Sequence, residues 1–403
     1  MESILLAVTG MTPQVVTETL YGLVEKGEPW PDRVEIITTR QGAERVKAGL
    51  FDQEHLARLC EALGKPSLTP EQVTIHQVPG ADGVPVDDAR TLDDHEALAD
   101  YIMERVRHLT ANDDCALHAS IAGGRKTMTF YLGYAMSLFG RPQDRMSHVL
   151  VSEGFENHPD FYFPTRESHL ITLRDGTVLD MRDARINLAD IPFIRQRGHL
   201  PGALRASGGD LSFRRLVDLI NLGQRPETIR AVWHAAEMCL ELRDTQRCLG
   251  RVTFASRFDW SWYQAVAEAT RAGDASLRRS SEGGSEHLGR CLMMQLARSL
   301  PLPLEPALGY REQLAQWLDH YEGVLEDAGI RPVDFEASMR LGLDVAQATT
   351  RINRRLAEAL PDALARCLKI QQVFDAQGRH LTRTTRGGGY GLLLRDEQVA
   401  ISE

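Results

Sequence analysis

The sequence predicts an α/β protein: a Rossmann-like, doubly wound parallel sheet, followed by a mostly helical C-terminal region. Three observations carry this. Five apolar runs of strand length, Ile4–Val8, Val34–Thr38, Val73–Val78, Cys115–Ala119 and Val149–Ser152, are separated by stretches of helical spacing at about 13–26, 41–63, 92–110 and 125–139. Such alternation argues for a parallel sheet covered on both faces. The first and fourth runs each pass through a turn of hydroxyl or glycine residues into a helix. Beyond residue 200 the strand-like pieces are short and most of the chain has helical periodicity.

The first run ends in Thr9-Gly-Met-Thr-Pro-Gln14 and then Val15 to Val24, whose apolar residues recur at helical spacing. Thr12 is placed to cap that helix, with Pro13 at its first position. The fourth run leads into His118-Ala-Ser-Ile-Ala-Gly-Gly-Arg-Lys-Thr-Met128, a strand, a turn and a helix start. Gly123 and Gly124 let backbone N–H groups approach an anion, and the helix N-terminus adds its dipole. Arg125 and Lys126 lie where cations oppose that dipole, which points to a negative ligand. In a doubly wound sheet, turns at the carboxyl ends of neighbouring strands line one crevice. Neither turn matches the dinucleotide fingerprint G-x-G-x-x-G or the Walker A pattern, so an NAD or ATP site is not predicted.

Residues 159–187 contain the strand-like pieces Asp160–Phe163 and His169–Leu173 around the turn Asp175-Gly176, read as a hairpin extending the sheet or a dimer surface. Leu211 to Leu222 is an amphipathic helix between Gly208-Gly209 and Gly223, a connector spanning about 196–230. Next come strands at Glu237–Leu242 and Arg251–Phe254, a helix from Trp260 to Thr270, and a loop from Ala275 to Gly284. Helices follow at 286–300 and 310–327. Trp260 and Trp262 are expected to be core and rim rather than a stacking platform.

Ala7-Val-Thr-Gly-Met-Thr-Pro-Gln-Val-Val16, Ser120-Ile-Ala-Gly-Gly-Arg-Lys-Thr-Met128 and Asp190-Ile-Pro-Phe-Ile-Arg195 together resemble CRISPR-associated Rossmann-fold (CARF) proteins, and more narrowly the subgroup labelled ring nucleases in type III CRISPR loci. The resemblance covers about residues 1–195. It implies a homodimer that binds a cyclic oligoadenylate across its two-fold axis; some members cleave the ring without metal and others pass the signal to an attached effector domain. The cyclic tetra-adenylate is the commoner ligand in the family.

The candidate ligand-binding residues are Thr9, Gly10, Met11, Thr12, Ser120, Gly123, Gly124, Arg125, Lys126, Thr127 and Glu153. For cleavage, Lys126 would stabilise phosphoryl charge while Thr12 and Ser120 position phosphate or sugar. Ser152 lies beside Glu153, which would orient a cation or an adenine edge. His118 is expected to be packed and hydrogen-bonded, and Arg195 could be a surface ion pair. No metal and no cofactor are expected.

The C-terminal region has a separate character. Ala346 to Leu360 is a helix with arginines at 351, 354 and 355, ending at Pro361. Strands at Leu368–Phe374 and Tyr390–Leu394 flank Arg383-Thr-Thr-Arg-Gly-Gly-Gly389. Nine Lys/Arg face three Asp/Glu between 351 and 395, opposite in sign to the net charge of −10. Helix, strand, basic glycine turn and strand look like the recognition helix and wing of a response-regulator-type winged-helix domain over 231–403, carrying a helical insertion at about 275–340. DNA is then a candidate partner through Arg351, Arg354, Arg355, Arg383 and Arg386. The insertion is longer than that domain type allows, which weakens the groove-reading role. A HEPN ribonuclease needs Arg-x4–6-His, and Arg230-Ala-Val-Trp-His234 is one residue short. An alternative function is therefore a ligand-controlled DNA-binding regulator.

Length and composition fit a protein of two or three domains, with 43% hydrophobic and 25% charged residues among 403. The six cysteines are scattered, with no C-x-x-C and no zinc spacing, and no signal or membrane segment is apparent, so a cytoplasmic location with reduced thiols is expected.

Overall fold

In a computed structural model the described residues are 1–156, 158–206, 211–244, 247–278, 284–330, 343–375, 378–381, 383–384 and 388–402. They form two compact units, Met1–Leu200 with Arg205–Arg214, and Pro201–Leu204 with Arg215–Glu403. Among them no helix is long and apolar enough to cross a membrane.

The first unit is built on a six-stranded sheet. Strands β1 (Glu2–Val8), β2 (Arg33–Thr38), β3 (Val73–Gln77), β4 (Cys115–Ser120) and β5 (Arg145–Val151) run parallel in the order β3-β2-β1-β4-β5. A hairpin, β6 (Leu170–Thr172) and β7 (Val178–Asp180), turns at Gly176, and β8 (Ile186–Asp190) then closes the sheet antiparallel to β5. Helices α1 (Gln14–Glu25), α2 (Arg40–Val46), α3 (His55–Leu63), α4 (Leu92–Leu109) and α5 (Lys126–Phe139) fill the crossovers. Central strands are nearly continuous apolar runs because both faces are covered, as Ile4 to Val8 show. Strand order reverses between β1 and β4, where Ala7 pairs with Ser120, so the turns leaving those strands stand side by side.

Several expectations need adjusting. The helix expected over 41–63 is three pieces: α2, a π-helical segment Lys47–Asp52, and α3, which Glu54 precedes with φ of 60°. Asp160–Phe163 is not a strand; Phe161 and Phe163 are buried in the core instead. Thr12 does not cap α1, because Pro13 occupies the cap position and no side-chain capping bond forms.

The second unit holds a four-stranded sheet in the order β11-β10-β9-β14, from β9 (Arg230–His234), β10 (Cys239–Arg243), β11 (Cys248–Thr253) and β14 (Val399–Ser402). Strand β14 joins parallel to β9, a pairing absent from the sequence-based expectation. Short strands β12 (Gln371–Gln372) and β13 (Tyr390–Gly391) pair antiparallel. The helix Arg257–Ala272 buries Trp260, Trp262 and Tyr263, so both tryptophans are core. The helix Leu343–Ala359 packs by Ala348, Ile352 and Leu356.

The groove-reading face expected on that last helix is largely committed to the unit itself. Arg351 makes a two-pronged ion pair with Asp259, its Nε 2.9 Å from one carboxylate oxygen. The Arg355 Nε donates to the Thr253 carbonyl at 3.2 Å, and Arg354 lies 3.7 Å from Glu358. Arg386, Gly208 and Gly209 lie outside the described residues.

Candidate functional site

The two signature turns meet at the switch point of the sheet. A β-carbon added at Gly10 would lie 3.7 Å from the Gly124 Cα, and one at Gly123 would lie 2.6 Å from Val15 Cγ2 and 3.0 Å from the Val8 carbonyl. Any side chain at 123 would therefore push the turns apart. Gly124 adopts φ of +85°, the left-handed region where glycine carries no steric penalty. The turn after β2 joins them, since a β-carbon at Gly42 would collide with the Thr38 hydroxyl and sit 2.8 Å from the Gly10 carbonyl.

Thr9 is fully buried and holds the first turn: its N–H donates to Ile37 at 3.1 Å and its hydroxyl to the Thr12 carbonyl at 2.8 Å. The N–H groups of Gly10, Met11 and Thr12, and of Gly123, Gly124 and Lys126, find no acceptor among the described residues. Lys126 is the first residue of α5, where a helix leaves its N–H groups without intrahelical acceptors. The arrangement is a row of donors at a positive helix end, suited to an anion.

The two cations of the second turn differ. Arg125 is taken: its Nε donates to Asp88 at 2.9 Å, and the guanidinium holds the Asp88 carboxyl below its usual range, with Arg90 assisting. Arg40 at the start of α2 is likewise paired with Asp87 and with Glu44. Lys126 is exposed and has no partner among the described residues. Of the expected anion-compensating side chains, Lys126 is the one left free.

Other expected residues separate in the same way. The Ser120 hydroxyl is buried against the Thr19 hydroxyl of α1 at 2.9 Å, and Thr19 donates onward to the Val15 carbonyl. Ser120 thus fastens α1 to β4 and its side chain does not reach the crevice. The Thr12 hydroxyl has no partner among the described residues, and the buried Thr127 Oγ1 has none either. Glu153 is exposed beyond β5, while Ser152 exchanges bonds with Arg185 and extends the β5–β8 ladder. His118 Nε2 meets Ser147 at 2.7 Å; burial, with the charge of Arg145, pushes its pKa down to about 4, so it is a neutral packed residue.

The third motif works at the far end of α5. The Arg195 Nε and second nitrogen donate to the carbonyls of Arg141 and Asp144 at 2.8 and 2.7 Å, and its guanidinium lies over Phe193. Arg197 reaches the Phe139 carbonyl at 3.1 Å. Arg195 is therefore not a surface ion pair; it clamps the α5–β5 loop and so holds the helix whose other end carries Lys126.

Two features had no sequence-based expectation. Gln14, at the start of α1, is buried and donates to the Pro159 carbonyl at 2.9 Å, leaving its Oε1 unpaired. One turn later Glu18 is buried, and desolvation, reinforced by Glu156, raises its pKa to about 7 from an ordinary 4.5. A carboxyl whose folded pKa is raised stabilises the fold below its unfolded pKa and loses that contribution as pH rises through 7. The melting temperature should therefore fall as pH rises from about 4.5 to about 7, and Glu18→Gln should flatten that fall. An identical slope in the variant would show that Glu18 is not the group responsible.

No curated protein matches the sequence. A 2.2 Å crystal structure from Listeria monocytogenes, described as a UDP-N-acetylglucosamine 2-epimerase, shares 14% identity, with 37% of this chain and 31% of that one covered and a TM-score of 0.20. This chain thus spans less than a third of that protein's length, and the likeness is too slight to bear on fold or function. The family model for CRISPR-associated protein NE0113 matches residues 12–221. Running from the first turn past the Arg195 clamp over more than half of the sequence, that match places the chain in the CRISPR-associated NE0113 family.

Proposed function

We propose that the crevice between the turns after β1 and β4 binds a cyclic oligoadenylate, the cyclic tetra-adenylate first, across the two-fold axis of a homodimer, and that it cleaves the ring without metal to end a type III CRISPR signal. The single observation that supports this is the row of unpaired N–H groups from Gly10 to Thr12 and from Gly123 to Lys126, with the free Lys126 ammonium beside it. A ring of phosphodiesters carries one negative charge per phosphate. Two copies of one crevice would each serve half of it. Met11 and Phe130, 53% and 60% exposed near the turns, are apolar surface of the kind that a second copy covers.

For cleavage, a ribose 2′-OH attacks its neighbouring phosphorus as the P–O5′ bond breaks. The 2′-OH proton passes to the leaving 5′-oxygen, and the products are a 2′,3′-cyclic phosphate and a 5′-OH. In-line placement and stabilisation of the phosphoryl oxygens are the catalytic demands. Lys126 and the Gly123-Gly124 N–H groups supply the second. Thr12, with its free hydroxyl, positions the sugar or phosphate, and at Ser120 it is the backbone end of β4 rather than the hydroxyl that contributes.

Titration calorimetry of the full chain tests binding. One ring per two chains is expected for cyclic tetra-adenylate, with linear tetra-adenylate much weaker. Equal affinity for the linear form would count against a symmetric ring site.

A further inference from the structure

The second unit contains a cavity of about 510 Å³ with an unbalanced charge. Arg366, Arg383 and Arg395 line it together with His380, and among the described lining residues Glu227 is the one carboxylate. Arg366 and Arg383 are exposed and have no partner among the described residues, and Arg395 reaches Glu397 only at 3.8 Å. Gathering like charges without counter-ions costs the folded state free energy, which an anion would relieve.

The walls are held by internal hydrogen bonds. The buried Gln398 side chain accepts from the Arg395 N–H at 2.9 Å and donates to the Pro226 and Ile229 carbonyls at 2.6 and 3.0 Å. The Gln371 amide donates to the Arg366 carbonyl at 2.7 Å. His380 Nε2 donates to the Leu392 carbonyl at 2.8 Å, which leaves Nδ1 as the ring's remaining polar atom. The Leu393 N–H donates to the Cys367 carbonyl at 3.1 Å, and Leu393 with Leu394 forms an apolar side of the cavity.

We propose that this cavity binds the phosphate group of a nucleotide or of a short single-stranded nucleic acid. Several guanidinium forks favour phosphate, whose oxygens they can meet in pairs. The apolar side offered by the two leucines suits a base, and the volume lies in the range of small-ligand pockets rather than of a duplex groove. The residues lining this cavity include none of the crevice residues in the first unit and none from the helix Leu343–Ala359.

The test measures anisotropy of a short fluorescein-labelled single strand on the full-length protein, with AMP and inorganic phosphate as competitors. The probing variant is Arg366→Gln combined with Arg383→Gln; both side chains are exposed and have no partner among the described residues, so the melting temperature should be no lower than that of the wild type. If a strand is the ligand, the double variant should bind it about tenfold or more weakly, with a salt slope shallower by about 0.7 for each phosphate left unneutralised. If a nucleotide is the ligand, the strand should give no anisotropy change, AMP should bind the wild type in titration calorimetry, and the variant should lose AMP. The variant should keep its affinity for cyclic tetra-adenylate. Wild-type protein that binds neither strand, AMP nor phosphate, or a variant that binds them equally well, would overturn the proposal.

Discussion

Lys126→Ala should lower affinity for cyclic tetra-adenylate by about a hundredfold or abolish ring cleavage, since preorganised donors to phosphoryl charge are commonly worth that much. The expectation is sharp because of the contrast with its neighbour. Arg125 is neutralised by Asp88, whereas Lys126 stands free at the start of α5. Arg125→Ala should therefore have the smaller effect of the two. Calorimetry with both variants decides it. Unchanged affinity together with unchanged ring cleavage in Lys126→Ala would remove the ammonium from the site.

The second large effect concerns stability. Asp144, with a side chain 0% exposed, accepts from the Leu117 N–H at 2.9 Å and from the Arg141 N–H at 2.7 Å, and it forms a two-pronged pair with the Arg141 guanidinium, itself 2% exposed. Removing one partner of a buried pair leaves an uncompensated charge, at a cost of about 3–5 kcal/mol. Asp144→Ala should lose stability of that order in denaturant titration. The Arg195 clamp should fail with it, because it depends on the same loop. A loss below about 1 kcal/mol would mean that Arg141 finds water or another acceptor.

The central sheet was legible because its signals are local. Apolar runs alternate with helical spacing, and the two turns leading into α1 and α5 carry their own chemistry. What stayed hidden depends on partners distant in sequence. Nothing near Arg125 and Lys126 indicates which is free, since Asp88 lies 37 residues away. The direction of Ser120 was equally hidden: β4 is covered on both faces, Ala119 and Ser120 are both buried, and alternation cannot tell inside from outside. Strand β14 pairs with β9 across most of the second unit, so no local pattern announces the partner. The break in the helix over 41–63 occurs at Gln53-Glu54, without glycine or proline to mark it. The partners of the basic helix Leu343–Ala359 were hidden for a related reason. Its arginine spacing suits a groove, but Asp259 and the Thr253 carbonyl lie on segments about a hundred residues earlier and hold two of the three. A third turn was readable and overlooked: Thr38-Thr-Arg40 ends β2 with the same hydroxyl-rich pattern as the turn after β1.

The most direct test of the central claim is to incubate the purified protein with cyclic tetra-adenylate in EDTA and follow the products by mass over time. A metal-independent ring nuclease should yield linear or half-ring products ending in a 2′,3′-cyclic phosphate, absent with Lys126→Ala. A ring that stays intact over prolonged incubation, in the presence of enough protein to bind it, would contradict cleavage at this crevice.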